Sequence, residues 1–167
     1  MKTQTKLLLI IILIFLFSCN DDDNSVPTVS IIGNWKLIDW YDDTPQDINN
    51  DGQASTNLFS QWNGCKKQSK LVLTSDNLGK IIYTGESNNP KCPNGFEAND
   101  FFTTETWRTD DLNQNFILIG DDYLDTYGII ELTLETLILK GSGFFTCCDS
   151  EISYYTGGYL KFEKVTE

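Results

Sequence analysis

Gly33-Asn34-Trp35-Lys36-Leu37-Ile38-Asp39-Trp40-Tyr41 is the run on which the fold turns. Apolar and polar residues trade places along it, and aromatic and branched side chains are frequent. That is the pattern of a strand with one face in a core. From Ile31 onward the same texture recurs at Lys70–Ser75, Lys80–Gly85, Phe101–Thr109, Asn115–Gly120, Tyr123–Leu132, Glu135–Lys140 and Ile152–Lys164. Gly, Asn, Asp or Pro bounds each run. One short helix is expected in the first long loop, Ala54–Trp62, with Ser55 or Thr56 as its cap. Eight strands with turn-rich joints predict an antiparallel sandwich or barrel.

Joint lengths favour the barrel. The joints after strands two, four and six are tight, at 76–79, 110–114 and 133–134. Those after strands one, three and seven are long, at 42–69, 86–100 and 141–151. In an up-and-down barrel alternate joints lie at one end, so the long loops gather at one mouth and short turns close the other. A Greek-key sandwich does not require that asymmetry.

Three stretches carry a family resemblance: Gly33-Asn34-Trp35-Lys36-Leu37, the run Leu132-Thr133-Leu134-Glu135-Thr136-Leu137-Ile138-Leu139, and the ending Tyr159-Leu160-Lys161-Phe162-Glu163-Lys164. The first resembles the Gly-x-Trp opening of lipocalins, and together they look like the bacterial lipocalin-like lipoproteins, over nearly the whole mature chain. The resemblance implies an eight-stranded antiparallel up-and-down barrel with a ligand-accessible interior, and Trp35 packed across the closed end. Small eight-stranded barrels are either filled by side chains or hold one small ligand. With 10 Phe, 7 Tyr and 4 Trp, the chain has the bulk to fill one. Phe102, Trp107, Phe116, Tyr127, Tyr155 and Phe162, pointing inward, plug it; Gly128, Gly157 and Gly158, thinning the wall, leave a narrow pocket.

The amino terminus fixes the compartment. Lys2 and Lys6 precede eleven unbroken apolar residues, Leu7 to Phe17, and then Ser18-Cys19. Such a run is short of the ~20 residues that span a bilayer and fits a secretory signal. Its end, Leu16-Phe17-Ser18-Cys19, resembles the lipobox of bacterial lipoproteins. That implies a signal peptide over 1–18, acyl chains on Cys19 and a membrane anchor there. Residues 19–30 are polar and read as a tether, and 31–167 as the barrel domain. Asn20-Asp21-Asp22-Asp23 resembles the export tag of surface-displayed lipoproteins in some Gram-negative bacteria, and also reads as a solvated spacer. The expected location is the outer membrane, with the cell surface favoured over the periplasmic face.

Composition narrows the chemistry. Removing the first 18 of the 167 residues leaves 149, one domain's worth, and takes the formal charge from −12 to −14 as two lysines leave. No basic patch exists to neutralise phosphates, so nucleic acid is not an expected partner. The chain has no histidine. That removes the commonest general base, the His-activated nucleophiles and most zinc sites.

Asp47-Ile48-Asn49-Asn50-Asp51-Gly52 fits the first half of a calcium loop, with Asp47, Asn49 and Asp51 as alternate oxygen donors and the Gln53 carbonyl next. Leu58 stands where an EF-hand needs a bidentate Glu, so the loop is not an EF-hand. A weak calcium site, completed by Asn57, Asp42, Asp43 or water, is weighed against an Asn-Asp-Gly turn that needs no ion. Cys65 and Cys92 lie nearly equidistant from the turn at Asn77 and Leu78, which makes Cys65–Cys92 the preferred disulfide. Cys147 and Cys148 then pair with each other or stay free; crossed pairings with Cys65 remain open.

The expected function is a lipid-anchored, non-enzymatic binding module that takes a small apolar ligand in the barrel or a protein at the loop-rich mouth. The alternative is an accessory surface subunit with a filled barrel. Catalysis would need a carboxylate pair from Asp121, Asp122 and Asp125, or from Glu131 and Glu135, and spacing singles out neither.

Overall fold

The computed structural model describes residues 29–62, 67, 69–82, 101–104, 106–120, 124–146 and 155–166. The expectations for the signal, Cys19 and the tether to residue 28, for Cys65, Cys92, Cys147 and Cys148, and for Asp121 and Asp122 lie outside these residues.

The chain folds into an all-β, nearly closed eight-stranded antiparallel barrel. Its strands are β1 (Gly33–Gln46), β2 (Ser55–Asn57), β3 (Lys70–Leu73), β4 (Gly79–Ile82), β5 (Phe101–Thr104), β6 (Thr106–Thr109), β7 (Asn115–Ile119), β8 (Leu124–Leu132), β9 (Thr136–Lys140) and β10 (Tyr159–Val165). Pairing runs β5-β4-β3-β1-β10-β9-β8-β7-β6, every neighbour antiparallel, with β2 as an extra strip on β1. β5 and β6 are one length of chain, separated by residue 105. They form a single stave that pairs with β4 on one side and β7 on the other. Trp107 strengthens that seam: its N–H donates to the Asn77 carbonyl at 2.9 Å and its indole Nε1 to the Thr74 carbonyl at 3.2 Å.

Because β1 and β10 pair antiparallel, joints alternate between two ends. Residues 74–78, 110–114 and 133–135 close one end; the first, third and last long joints open the other. The closed end is shaped by short polar residues. Asn77 and Asn113 adopt the left-handed conformation, at φ 63° and 53°, which Asn tolerates better than most residues. The Asp110 carboxylate accepts the backbone N–H of Gln114 at 2.7 Å and the Asn115 side-chain amide at 2.8 Å. That side-chain bond, first, holds Asp110 below the usual carboxylate range.

Alternation places the core. Trp35 and Leu37 face inward, a bulge between Leu37 and Asp39 adds one residue, and Trp40 faces inward again. A second bulge between Ile129 and Glu131 returns Leu132 to the core while Ile130 stays exposed. Trp35 is fully buried near the closed end, its Nε1 donating to the Ile31 carbonyl at 2.7 Å with the Lys164 ammonium 5.0 Å from its ring. It packs as expected.

Among the described residues, side chains fill the interior. Trp107, Phe116, Tyr127, Phe145 and Phe162 follow one another with ring centroids 5.3–6.2 Å apart, tilted or edge to face. Phe145 comes from a one-turn helix, α2 (Gly143–Thr146), that the sequence reading did not foresee. The foreseen helix is α1 (Leu58–Gln61), shorter than 54–62 because residues 55–57 pair with β1 as β2 instead. Its cap is Asn57, whose Oδ1 accepts the Ser60 N–H at 2.9 Å, rather than Ser55 or Thr56. Gly128 sits on the outer face beside Lys140, and Gly157 and Gly158 precede β10 at the mouth.

Candidate functional site

Where β1 leaves the barrel, four aromatic side chains gather. Trp40 is fully buried, meets Trp62 edge to face at 5.4 Å, and donates its Nε1–H to the Gly157 carbonyl at 3.0 Å. Trp62 in turn meets Phe59 of α1 at 6.4 Å, with the Lys67 ammonium 4.6 Å from the Phe59 ring. Tyr155 covers Trp40 from the last loop, stacked at 6.2 Å and 30°. Tyr155 was expected on a strand pointing inward. Residues 155–158 instead form an irregular strap across the mouth, tied down by Gly141 N–H to the Gly158 carbonyl at 2.7 Å and Ser142 N–H to the Thr156 carbonyl at 2.9 Å.

The strap needs its glycine. Gly158 has φ +80°, and a Cβ there would stand 2.5 Å from the Tyr41 carbonyl oxygen. Gly143, at the start of α2, is confined in the same way: a Cβ would meet the Asp125 Oδ2 at 2.7 Å and the Tyr127 hydroxyl at 2.8 Å. Asp125 accepts that hydroxyl at 2.8 Å, so this member of the Asp trio braces the plug. Glu135 lies in the closing turn after β8, whereas Glu131 is level with Asp39 and its charge reaches Tyr41 at the lip.

Outside the lip, Tyr41 and Tyr159 are direct cross-strand partners, stacked at 5.2 Å and 20°. Tyr159 donates its hydroxyl to Asp43 at 2.8 Å, and Tyr155 donates to Asp42. Burial and then the Asp42 bond push the Tyr155 phenol up to about 12; the Asp43 bond raises Tyr159. Burial alone would raise Asp42, but the Tyr155 hydroxyl and the Thr44 and Asp43 N–H groups outweigh it and leave the carboxyl below its ordinary value. Tyr155 and Tyr159 therefore hold their protons more tightly than a free phenol and act as hydrogen-bond donors.

The 47–53 loop sits beside this surface. Its curl uses Asn50 at φ 58° and Gly52 at φ 84°. Asp47 Oδ1 accepts Asp51 N–H at 3.1 Å and Oδ2 accepts Gly52 N–H at 2.8 Å; Asp51 accepts the Asn49 amide at 3.0 Å and Gln53 N–H at 2.8 Å. Asp47, Asn49, Asp51 and the Gln53 N–H are thus tied together in a loop that its own hydrogen bonds close. The supplementary ligands are engaged elsewhere: Asn57 caps α1, and Asp42 and Asp43 hold tyrosines. Among the described residues no group of three His, Cys, Asp or Glu side chains converges. The loop is anchored through Ile48, fully buried, whose N–H donates to Gln61 Oε1 at 2.9 Å.

Among the described residues no helix is long and apolar enough to cross a membrane. Comparison with protein-family models, with curated proteins and with solved structures finds no match to this chain.

Proposed function

We propose that this chain is a lipid-anchored, non-enzymatic, lipocalin-like binding module of the cell envelope that engages its ligand at the barrel mouth. The filled interior carries the reading. Phe145, pushed in from the mouth, completes a row of rings that occupies the space a barrel ligand would take. A ligand is then met by the lip, where Tyr41, Tyr155, Tyr159, Asp42 and Asp43 present flat apolar faces beside hydrogen-bonding groups. Aromatic side chains are efficient there because they offer large area for little rotamer entropy. The anchor rests on the sequence around Cys19. A diacylglycerol and an amide-linked acyl chain on Cys19 would hold the module stably, each buried methylene contributing about 0.8 kcal/mol.

A photo-crosslinking amino acid at Tyr41 or Asn57, in the full chain expressed in its host, tests this. A discrete adduct from the lip and none from Lys161, midway along the side wall, is expected. Adducts from the wall alone would favour the accessory subunit, which the filled interior also suits. No adduct from the lip sinks the binding reading. Intact mass tests the anchor: acylation is expected and is lost in Cys19→Ser.

The curl of 47–53 supports a weak calcium site of the extracellular kind, about 10⁻⁴–10⁻³ M. Millimolar calcium raising Tm, with the rise lost in Asp47→Ala, sustains it; unchanged melting removes it.

A further inference from the structure

We infer that the closed end of the barrel is a membrane-docking face, its exposed leucine tips resting in the interface of a zwitterionic bilayer. This rests on the acylation of Cys19 proposed above. Seven large apolar side chains are exposed among the described residues, and five of them are at this end. Leu78 (48 % exposed), Leu112 (73 %) and Leu134 (56 %) each sit in one of the three closing turns, with Val29 (39 %) and Ile32 (38 %) where the chain reaches β1. Single exposed leucines are ordinary; one in every turn of the same end is a pattern.

Folding does not explain those leucines. The turns are made by their polar neighbours: Asn77 and Asn113 take the left-handed positions, Asp110 binds the backbone of its turn, and the Thr133 hydroxyl accepts the Thr136 N–H at 2.8 Å. The Asp76 carboxylate likewise turns back to the Thr74 hydroxyl and the Leu78 N–H. A polar residue at each leucine position would serve the turn as well. Asp76 and Asp110 fold back while the leucines stand exposed beside Asp111 and Glu135, an amphipathic edge suited to the boundary between headgroups and acyl chains.

The position of the tether selects the bilayer as that partner. Val29 lies at the closed end, and Cys19 is ten residues before it. At roughly 3.3–3.6 Å per residue, the anchor holds this end within about 35 Å of the membrane surface. The charge there is mixed: Lys80, Arg108 and Lys164 alternate with Asp76, Asp110, Asp111 and Glu135, so no net basic patch selects anionic lipid. Docked this way, the barrel stands on end with its mouth away from the bilayer.

The test places the photo-reactive residue p-benzoylphenylalanine at Leu78, Leu112 or Leu134, one at a time, or at Asn50 by the mouth. The acylated full chain is bound to phosphatidylethanolamine–phosphatidylcholine vesicles, irradiated and weighed for phospholipid adducts. We expect adduct yields at the three tips roughly tenfold above Asn50, the contrast between groups in and out of the interfacial layer. Equal yields at tips and mouth, or none at the tips, overturn the inference while a mass-confirmed acyl group leaves the anchor standing. A chain without the acyl mass overturns the anchor and this inference together.

Discussion

Tyr155 and Asp42, 113 residues apart in sequence, are joined by one hydrogen bond that should be visible in pH titration. The phenol is raised from 10.0 to about 12, so the fold binds that proton more tightly than the unfolded chain. Its contribution is whole below pH 10 and is lost as pH rises towards 12. Asp42 has the opposite sign: its lowered value adds stability above the unfolded value near 3.8, lost as pH falls through the lower folded one. Denaturant midpoints measured from pH 9 to 12 should fall in the native chain. In Tyr155→Phe that slope should flatten, and an unchanged slope would mean the bond does not hold in solution. Trp35 sets a larger scale. Truncation to Ala removes a fully buried indole and its bond to Ile31, and should cost about 3–5 kcal/mol by urea unfolding.

At the scale of elements, α2 and the strap 155–158 are the two pieces that turn an open can into a closed one. Phe145→Ala should destabilise by about 3–5 kcal/mol, because Tyr127 and Phe162 lose a ring between them. Gly158→Ala should destabilise by more than about 1 kcal/mol, since neither its φ nor the Tyr41 carbonyl leaves room for a Cβ. Thermal melts of both variants check these values. Several strands, β1, β3 and β4 among them, were legible because they bury one face, which writes a period of two into the sequence; β7 and β9, buried at three successive positions, were legible as short apolar runs, and each of the eight expected runs overlaps a strand. Their ends were less legible. β1 runs on to Gln46 through Asp42-Asp43-Thr44-Pro45, a polar stretch that becomes strand by pairing with β2. Within the expected Ile152–Lys164 run, residues 155–158 lie off the sheet and β10 begins at Tyr159, because Gly157 and Gly158 release the chain from the sheet. α2 left no mark, since Gly143-Phe144-Phe145-Thr146 has no cap and too few residues to show a helical period. The Tyr–Asp pairs of the lip were also invisible, for they join residues more than a hundred positions apart.

For the molecule as a whole, closure by β1–β10 pairing joins the two ends of the domain, so no stave can leave without breaking a ladder on each side. Unfolding should therefore be a single transition, with tryptophan fluorescence and far-ultraviolet dichroism coincident. Separate midpoints would divide the barrel into independent parts. Joint lengths revealed the two poles of this can before any coordinate did, because topology alone sends alternate joints to opposite ends. Whether the can was full could not be read that way, as it depends on Phe145 entering from a loop. That fullness is what directs function to the lip, and titration with a fluorescent polyene fatty acid measures it. The filled barrel should give no saturable uptake. One-to-one uptake that Leu118→Trp abolishes would show a ligand inside, and the mouth would lose its claim.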